Sequence, residues 1–214
     1  MQNPYSRVFG LTGIIGSGKS TVADLLQQKG ALIIRADVLV SQILDPQYGR
    51  HDVIKNKIYT MIKKNRGKDQ ADVIFQGGKI NRRKLAEIVF SGMKMTMELN
   101  KIMHPEVSRL FAKIIQSTPL DKRIIIYDVP LLFETGLNKK VRKNIVVYAP
   151  EDIAIKRASQ RMGLSIEEVK KRLKHQISIE EKRSMADYVL DNTGNLQDSG
   201  KETEKLWKYL QDQQ

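Results

Sequence analysis

The 214-residue sequence contains no cysteine, which excludes disulfide frameworks and thiolate-bound metals. Its first residues, MQNPY, lack the apolar stretch of a signal peptide, and no apolar run is long enough to span a bilayer. We therefore expect a cytoplasmic protein, without membrane contact, that is stabilised by a hydrophobic core. A chain of this length can bury such a core.

Acidic residues are few relative to basic ones. The chain has 24 Asp and Glu against 37 Lys and Arg, so its formal net charge is +13. Such an excess predicts a polyanionic partner, either a nucleic acid or a phosphorylated small molecule. Aromatic residues are not interleaved with the basic ones and no RNA-binding module is recognisable, which argues against RNA recognition.

The strongest motif is GIIGSGKS at residues 13–20, which matches the phosphate-loop pattern G-x-x-x-x-G-K-[ST]. An apolar run at residues 8–12 indicates a buried strand before it, and residues 21–29 carry an apolar helical face after it. Strand, glycine-rich loop and helix is the setting that the motif requires. The predicted nucleotide-binding residues are Gly13, Gly16, Ser17, Gly18, Lys19, Ser20 and Thr21.

The residue types in this loop suit a triphosphate. Glycine permits dihedrals and close approaches that a Cβ would block, so backbone N–H groups can surround an anion. Lys19 supplies a positive charge for the β- and γ-phosphates, and the Ser20 hydroxyl is placed to ligate Mg²⁺. The motif predicts a nucleoside triphosphate site and leaves the phosphoryl acceptor open.

Two further predicted strands, at residues 31–36 and 123–130, lead to acids. Ligands of open parallel α/β sheets bind beyond the carboxyl ends of the strands, so Asp37 and Asp128 are expected at the ligand face. Asp37 is a candidate general base or the N-cap of a helix over residues 38–44. Asp128 is a candidate on the Mg²⁺ side of the site or a carboxylate that only braces a turn.

Residues 39–118 show no strand repeat and predict several helices. Asn81 is expected to cap one of them, and Pro105 to lie in the first turn of a helix over residues 105–116. His104 precedes that proline, and a lone histidine is either a structural hydrogen-bonding residue or a ligand.

A fourth strand is predicted at residues 144–149, followed by a helix that starts at Pro150 and by two short helices with capping boxes. Residues 139–183 contain thirteen Lys and Arg against six acids. Such a basic helical segment suits a lid over a triphosphate, because guanidinium groups neutralise charge on the transferred phosphoryl group. Arg157 and Arg161, one turn apart, are the predicted lid cations.

The chain closes with a short predicted strand at residues 188–190 and a helix that Ser199 is expected to cap. Together these strings resemble the dephospho-coenzyme A kinase family over nearly the whole chain, from residue 8 to about residue 196. The strings that carry the resemblance are GLTG and GSGKST around the phosphate loop, AD at 36–37, HP at 104–105, DVPLLFE at 128–134 and ADYVLDNTG at 186–194. DVPLLFE is the most specific of them.

The resemblance implies an α/β fold in which a five-stranded parallel sheet carries helices on both faces, as in phosphate-loop kinases. The implied core comprises residues 7–38, 119–150 and 187–214. A helical substrate-binding insertion at residues 39–118 and a helical lid at residues 151–186 complete the implied architecture.

The resemblance also implies transfer of the γ-phosphoryl group of ATP, with Mg²⁺, to the ribose 3′-hydroxyl of dephospho-coenzyme A. That reaction is the last step of coenzyme A synthesis. The implied catalytic residues are Lys19, Asp37, Arg157 and Arg161. Those implied for the acceptor are Asp37, His104 and Asp128, and those for the metal are Ser20 and Asp128.

Two positions depart from the family pattern. Ile14 replaces a usual glycine at a variable position of the loop, so phosphate binding is expected to survive. Arg35 replaces the first acid of a usual Asp-Ala-Asp, which leaves Asp37. The rival hypotheses are a nucleoside or nucleotide kinase and an RNA-binding nucleotide hydrolase, and the oligomeric state stays open between a monomer and a weak homo-oligomer.

Overall fold

The computed structural model describes residues 5, 7–75, 79–89, 92–118 and 124–213. These residues form two compact units. The first contains the described residues up to Arg35 and from Ile124 onward, and the second runs from Ala36 to Thr118. Within the described part of the chain, no helix is both long and apolar enough to cross a membrane.

The first unit is built on the predicted parallel sheet of five strands, arranged in the order β2-β3-β1-β4-β5. The strands are β1 (Val8–Thr12), β2 (Leu32–Arg35), β3 (Ile125–Asp128), β4 (Lys143–Tyr148) and β5 (Tyr188–Asp191). The strand that precedes the phosphate loop, β1, therefore lies at the centre of the sheet. Residue 123, where the third strand was predicted to start, lies outside the described residues.

The helices of the first unit follow β1, β4 and β5, whereas the second unit connects β2 to β3 and a segment with only a 3₁₀ turn connects β3 to β4. The helices of the first unit are α1 (Lys19–Gln28), α7 (Glu151–Met162), α8 (Ile166–Leu173), α9 (Ile179–Ser184) and α10 (Leu196–Asp212), with a 3₁₀ turn at Leu137–Lys139. The helices of the second unit are α2 (Ala36–Ile43), α3 (His51–Arg66), α4 (Lys68–Ile74), α5 (Arg82–Val89) and α6 (Met93–Ser117).

Helices cover both faces of the sheet, as expected. In β4, Ile145 and Val147 belong to a buried cluster with side chains of α1 and α10. Val146, which points the other way, belongs to a second cluster with Ala154 of α7 and Ile179 of α9. Successive residues of a strand alternate between faces, so an unbroken apolar run indicates a strand that is buried on both sides.

The second unit is helical, and α6 packs against α2, α3 and α5 around a core of its own. The prediction that a helix starts at Pro105 is wrong, because α6 is a 25-residue helix that begins at Met93 and contains Pro105 in its interior. An interior proline removes one hydrogen bond and costs about 3 kcal/mol. Burial of Met103 and Phe111 on either side of the proline offsets this cost.

Two predicted caps are also corrected. Helix α2 begins at Ala36, so Asp37 lies in its first turn instead of capping it. Helix α10 begins at Leu196, where Asn195 and Asp198 form the capping box, and Ser199 lies buried within the helix. In α10 the spacing that predicts a cap recurs four residues earlier, at Asn195 and Asp198, and the structure uses the earlier one. The caps predicted at Asn81, Ser165 and Ser178 are confirmed, with a complete capping box at Ser165 and, at Ser178, only the bond from the Glu181 N–H to the serine side chain.

Candidate active site

Three glycines of the phosphate loop lie where a side chain has no room. A Cβ on Gly13 would lie 2.7 Å from the Val147 carbonyl oxygen, and one on Gly16 would lie 1.9 Å from that of Ala154. Gly16 and Gly18 also have positive φ angles, of 83° and 88°. Only glycine satisfies both constraints at low energy, so the loop holds its backbone close to its neighbours and curled for an anion.

Helix α1 starts directly at Lys19, which places an N-terminus with its unpaired N–H groups at the end of the loop. Its first turn carries no acid that would compete with an anion. Ser20 is exposed in this turn and Thr21 half-buried, whereas Ser17 is fully buried in the loop. The predicted nucleotide-binding residues therefore surround one helix N-terminus, where the helix dipole favours negative charge.

The Lys19 ammonium forms an ion pair with the Asp128 carboxylate. Asp128 ends β3, and strand pairing places it beside Leu11 of β1 and Arg35 of β2. The Arg35 guanidinium Nε lies 3.9 Å from Asp128 Oδ2, and Arg35 also pairs with Asp24 of α1. The buried carboxylate thus lies between two cations. One of these cations, Arg35, stands where the family usually has the first acid of Asp-Ala-Asp.

Asn192, just past β5, was not predicted as a site residue and supports the phosphate loop. Its side-chain Nδ2 donates to the Ser17 carbonyl at 2.7 Å, and its Oδ1 accepts from the Ser199 hydroxyl. Its backbone N–H donates to the Tyr148 carbonyl at 2.7 Å. A Cβ on Gly18 would lie 1.9 Å from Nδ2. This asparagine therefore holds the backbone of the loop at Ser17, although the two residues are 175 positions apart in the sequence.

The two predicted lid arginines have different surroundings. The Arg157 guanidinium donates to the carbonyl of Asn192 at 2.6 Å, to that of Thr193 at 3.0 Å and to that of Gly194. Arg161, one turn later on α7, is exposed. In this structure Arg157 is a clamp on the segment that carries Asn192, and Arg161 has the accessibility expected of a cation that meets a nucleotide.

In the second unit, Asp37 is exposed, and its carboxylate accepts from the Val38 N–H at 2.8 Å. His104 is exposed in the interior of α6, so the view of His104–Pro105 as a helix start is corrected. Each of these predicted acceptor-site residues is accessible to a ligand in its own unit.

Glu106, close to His104 on α6, is buried and ion-paired. It accepts from Arg50 Nε at 3.2 Å and from the Arg109 guanidinium at 2.6 Å. Burial alone would raise the pKa of Glu106, but the hydrogen bonds and charges of Arg109 and Arg50 hold that pKa below its ordinary value. This network fastens α6 to the segment that precedes α3, and sequence reasoning did not find it.

Comparison with known proteins identifies the family. The family model CoaE, dephospho-CoA kinase, matches residues 7–198. The chain belongs to the dephospho-CoA kinase family. A dephospho-CoA kinase of Bacillus licheniformis is 36% identical over 200 residues, which is 93% of this chain and 94% of that protein.

Solved structures agree with the family assignment. The crystal structure of TT1252 from Thermus thermophilus has a TM-score of 0.77 and 32% identity, and the match covers 96% of this chain and 98% of that one. A dephospho-CoA kinase from Campylobacter jejuni has a TM-score of 0.68 and 29% identity, with coverage of 97% and 98%. This family member thus shares its fold with these structures along nearly the whole chain.

The donors at the loop of this dephospho-CoA kinase family member suit Mg²⁺. Among the described residues there is no cluster of three or more His, Cys, Asp or Glu side chains. Mg²⁺ in kinases is usually bound by one or two protein oxygens together with phosphate oxygens and water, and needs no such cluster. The Ser20 hydroxyl in the first turn of α1 and the Asp128 carboxylate at the end of β3 are oxygen donors of this kind.

Proposed function

We propose that this protein transfers the γ-phosphoryl group of ATP to the ribose 3′-hydroxyl of dephospho-coenzyme A, giving coenzyme A and ADP. The observation that carries the proposal is the match of the family to residues 7–198, which includes the phosphate loop, Asp37, His104 and Asp128. The α/β core with a glycine loop between a central strand and a helix is the framework that such a transfer needs.

The phosphate loop and Lys19 bind the triphosphate in this proposal. The loop N–H groups surround the β-phosphate, while the Lys19 ammonium exchanges its Asp128 partner for phosphate oxygens. In this structure the Lys19 ammonium lies at the end of the loop, in an ion pair with Asp128. Pre-organised positive charge of this kind lowers the barrier, because it acts on charge that develops during transfer.

Ser20 and Asp128 are the residues that would hold Mg²⁺, which supplies charge neutralisation on the β- and γ-phosphates. Arg161 meets the transferred phosphoryl group from the lid. Arg157 keeps the segment that carries Asn192 in place beneath the loop and contacts phosphate only if it leaves these carbonyls.

Asp37 is the proposed general base. As the ribose oxygen attacks the γ-phosphorus, the bond from that phosphorus to the bridging oxygen of ADP breaks, and the hydroxyl proton passes to the Asp37 carboxylate. Its exposed position two residues after β2 suits this role. His104 is proposed as a residue that positions the acceptor.

A coupled ADP-release assay against a panel of acceptors tests the proposal. We expect turnover with dephospho-coenzyme A that far exceeds turnover with adenosine, with AMP or with no acceptor. Product analysis must place the new phosphate on the 3′-oxygen. Faster turnover with a nucleoside or nucleotide would overturn the choice of acceptor and leave the phosphate-loop assignment intact.

The absence of a nucleic-acid partner and the cytoplasmic location stay predictions. A gel-shift titration with RNA at several salt concentrations tests the first, since tight binding that weakens steeply with salt would favour the nucleotide-hydrolase hypothesis.

A further inference from the structure

The turn between α8 and α9 is joined to the phosphate loop by a side chain. Gln176, in this turn, accepts a hydrogen bond from the backbone N–H of Ile15 through its Oε1 at 3.2 Å. Ile15 lies in the variable part of the loop, between Gly13 and Gly16. The predicted lid therefore reaches the nucleotide-binding backbone directly.

A buried lysine makes a second connection. The predicted lid is rich in exposed cations, but Lys182 of α9 is fully buried. Its ammonium donates to Glu134 Oε1 at 2.8 Å and to the Pro130 carbonyl at 2.9 Å. Glu134 Oε1 also accepts from the Ile177 N–H at 2.9 Å. One carboxylate oxygen thus holds both the turn before α9 and the helix itself.

The Pro130 carbonyl connects this pair to the central strand. It accepts from the Thr12 hydroxyl at 3.1 Å as well as from Lys182. Thr12 is fully buried, ends β1 and directly precedes Gly13 of the loop. The start of the phosphate loop and α9 therefore share a single hydrogen-bond acceptor.

Apolar packing follows the same route. Ile14 of the loop belongs to one buried cluster with Phe133 and with Ile179 of α9. Ile15 packs against a neighbouring cluster that contains Val169 of α8, and Leu173 borders both clusters. The two isoleucines of the loop are thus contact points for the two short helices. Ile14, which replaces a glycine that is usual in the family, provides the contact with α9.

We propose that Lys182, Glu134 and Gln176 form a latch that holds the α8–α9 segment on the phosphate loop and keeps the loop in the shape that phosphoryl transfer requires. The three side chains are positioning residues, because they act through the Pro130 carbonyl that the Thr12 hydroxyl shares and through the Ile15 N–H, and not on the substrate. The proposal deepens the proposed function, on which it rests for its kinetic readout.

The Lys182–Glu134 pair is better suited to fixing the position of α9 than to adding stability. A buried ion pair contributes little net stability compared with apolar residues of the same volume, because desolvation offsets the attraction. A lysine at this position nevertheless does what leucine or methionine cannot, since it donates at once to a backbone carbonyl and to a side-chain carboxylate of the segment that follows β3. The pair therefore specifies where α9 lies relative to the Pro130 carbonyl.

The test separates a latch from a structural ion pair by double substitution. Glu134→Leu alone leaves the fully buried Lys182 ammonium without its carboxylate, and Lys182→Met alone leaves the half-buried Glu134 carboxylate without its cation, so we expect a lower Tm in each. The double variant Lys182→Met/Glu134→Leu removes both charges and is expected to regain most of the Tm. If the latch proposal is right, kcat/KM for ATP stays about 10- to 100-fold below wild type, which is the usual effect of a slightly misplaced catalytic group. A double variant with wild-type Tm and wild-type kcat/KM would overturn it.

Gln176→Ala keeps the proposal testable if the double variant fails to fold. The Gln176 side chain is uncharged and lies in a turn, so we expect an unchanged Tm and a roughly tenfold loss of kcat/KM for ATP. Unchanged kinetics would refute the role of Gln176 in the latch. Arg183→Met is the matched control, because Arg183 follows Lys182 on α9 but is exposed and stacks on Tyr148, and it should leave kcat/KM unaltered.

Amide hydrogen exchange supplies a readout that does not depend on the acceptor. We expect faster exchange at Ile15 and in residues 174–184 in Gln176→Ala and in the double variant, measured without substrate and with ATP alone. Exchange that matches wild type in both variants would refute the latch even if activity fell. An inactive wild-type enzyme with normal ATP binding would instead refute the proposed acceptor, and the exchange result would still decide on the latch.

Discussion

At the scale of single residues, Lys19 and Asp128 depend on each other. Asp128 is 4% exposed and ion-paired with Lys19, so removal of the lysine leaves a buried carboxylate with Arg35 as its remaining cation, 3.9 Å away. Sequence reasoning alone treats Lys19 only as a residue that acts on phosphate. The structure adds a cost in stability to its loss.

We predict that Lys19→Ala reduces kcat by about 10²–10³-fold or more, as expected for loss of a pre-organised charge. The variant should also have a lower Tm, because a buried acid loses its partner. Steady-state kinetics and thermal denaturation of Lys19→Ala and of Lys19→Ala/Asp128→Asn separate the two effects. The double variant should regain Tm without regaining activity, and a folded Lys19→Ala protein with near-normal turnover would refute the phosphate-loop assignment.

Asp37 is the residue on which the proposed chemistry most depends. Asp37→Asn keeps the shape of the side chain and removes its basicity. We predict a loss in kcat of about 10²–10⁴-fold, the usual effect of a general base, with KM for ATP nearly unchanged. Asp45→Asn, which changes an acid of the same unit whose side chain is 49% exposed, is the matched control. If Asp37→Asn retains more than about a tenth of wild-type kcat, His104 becomes the next candidate base.

At the scale of secondary-structure elements, α7 carries two arginines with different tasks. Arg157 uses its guanidinium on three backbone carbonyls of residues 192–194, whereas Arg161 is exposed. Hydrogen bonds that involve a charged group contribute about 1.5–3 kcal/mol each when they are well formed. The half-buried site of Arg157 makes its clamp a stabilising contact of α7.

We predict that Arg161→Ala lowers kcat by roughly 10³-fold, the lower range for a cationic finger, and leaves the Tm unchanged. Arg157→Ala should lower the Tm and raise KM for ATP, because the segment that holds Asn192 against the loop loses its anchor. Lys156→Ala, at an exposed position of the same helix, is the control for both. The opposite pattern, with a normal Tm and a large kcat loss in Arg157→Ala, would make Arg157 the catalytic cation.

At the scale of the whole molecule, Glu106 is expected to make the stability of the fold depend on pH in the acidic range. Hydrogen bonds and charges from Arg109 and Arg50 outweigh burial and keep the pKa of Glu106 below its ordinary value. A carboxylate with a lowered pKa in the folded state contributes stability above its unfolded pKa, about 4.3. The contribution is lost as the pH falls through the folded-state pKa.

We therefore predict that Glu106→Gln lowers the free energy of unfolding near pH 7 and that the difference from wild type narrows below about pH 4. Denaturant unfolding of both proteins at several pH values measures this difference in the free energy of unfolding. Glu87→Gln serves as a control because its carboxylate is exposed and paired at the surface with Arg83. A constant difference between Glu106→Gln and wild type from pH 7 to pH 3 would exclude Glu106 as the titrating group.

The parts of the molecule that could be predicted from sequence depend on near neighbours along the chain. Short patterns predict the phosphate loop, the five strands, the acid after β2, the acid at the end of β3 and the caps at Asn81, Ser165 and Ser178. An alternation or a capping spacing spans only a few residues, so local sequence is enough to specify it. The family resemblance extended these patterns to an expected reaction.

Tertiary structure decided the spatial order of the strands, the continuation of α6 through Pro105 and the cap at Asn195. It also decided the partners of Asn192, Arg157 and Lys182. Each results from packing between residues far apart in sequence: an interior proline is tolerated where burial offsets its cost, and a buried cation needs an acceptor brought in by another segment. The sequence by itself therefore determined which chemical groups this protein carries and, apart from the starts of α2, α6 and α10, where its main elements form. Only the tertiary structure decided which of these groups are exposed and which ones hold the phosphate loop in place, because burial and partnership depend on the whole folded chain.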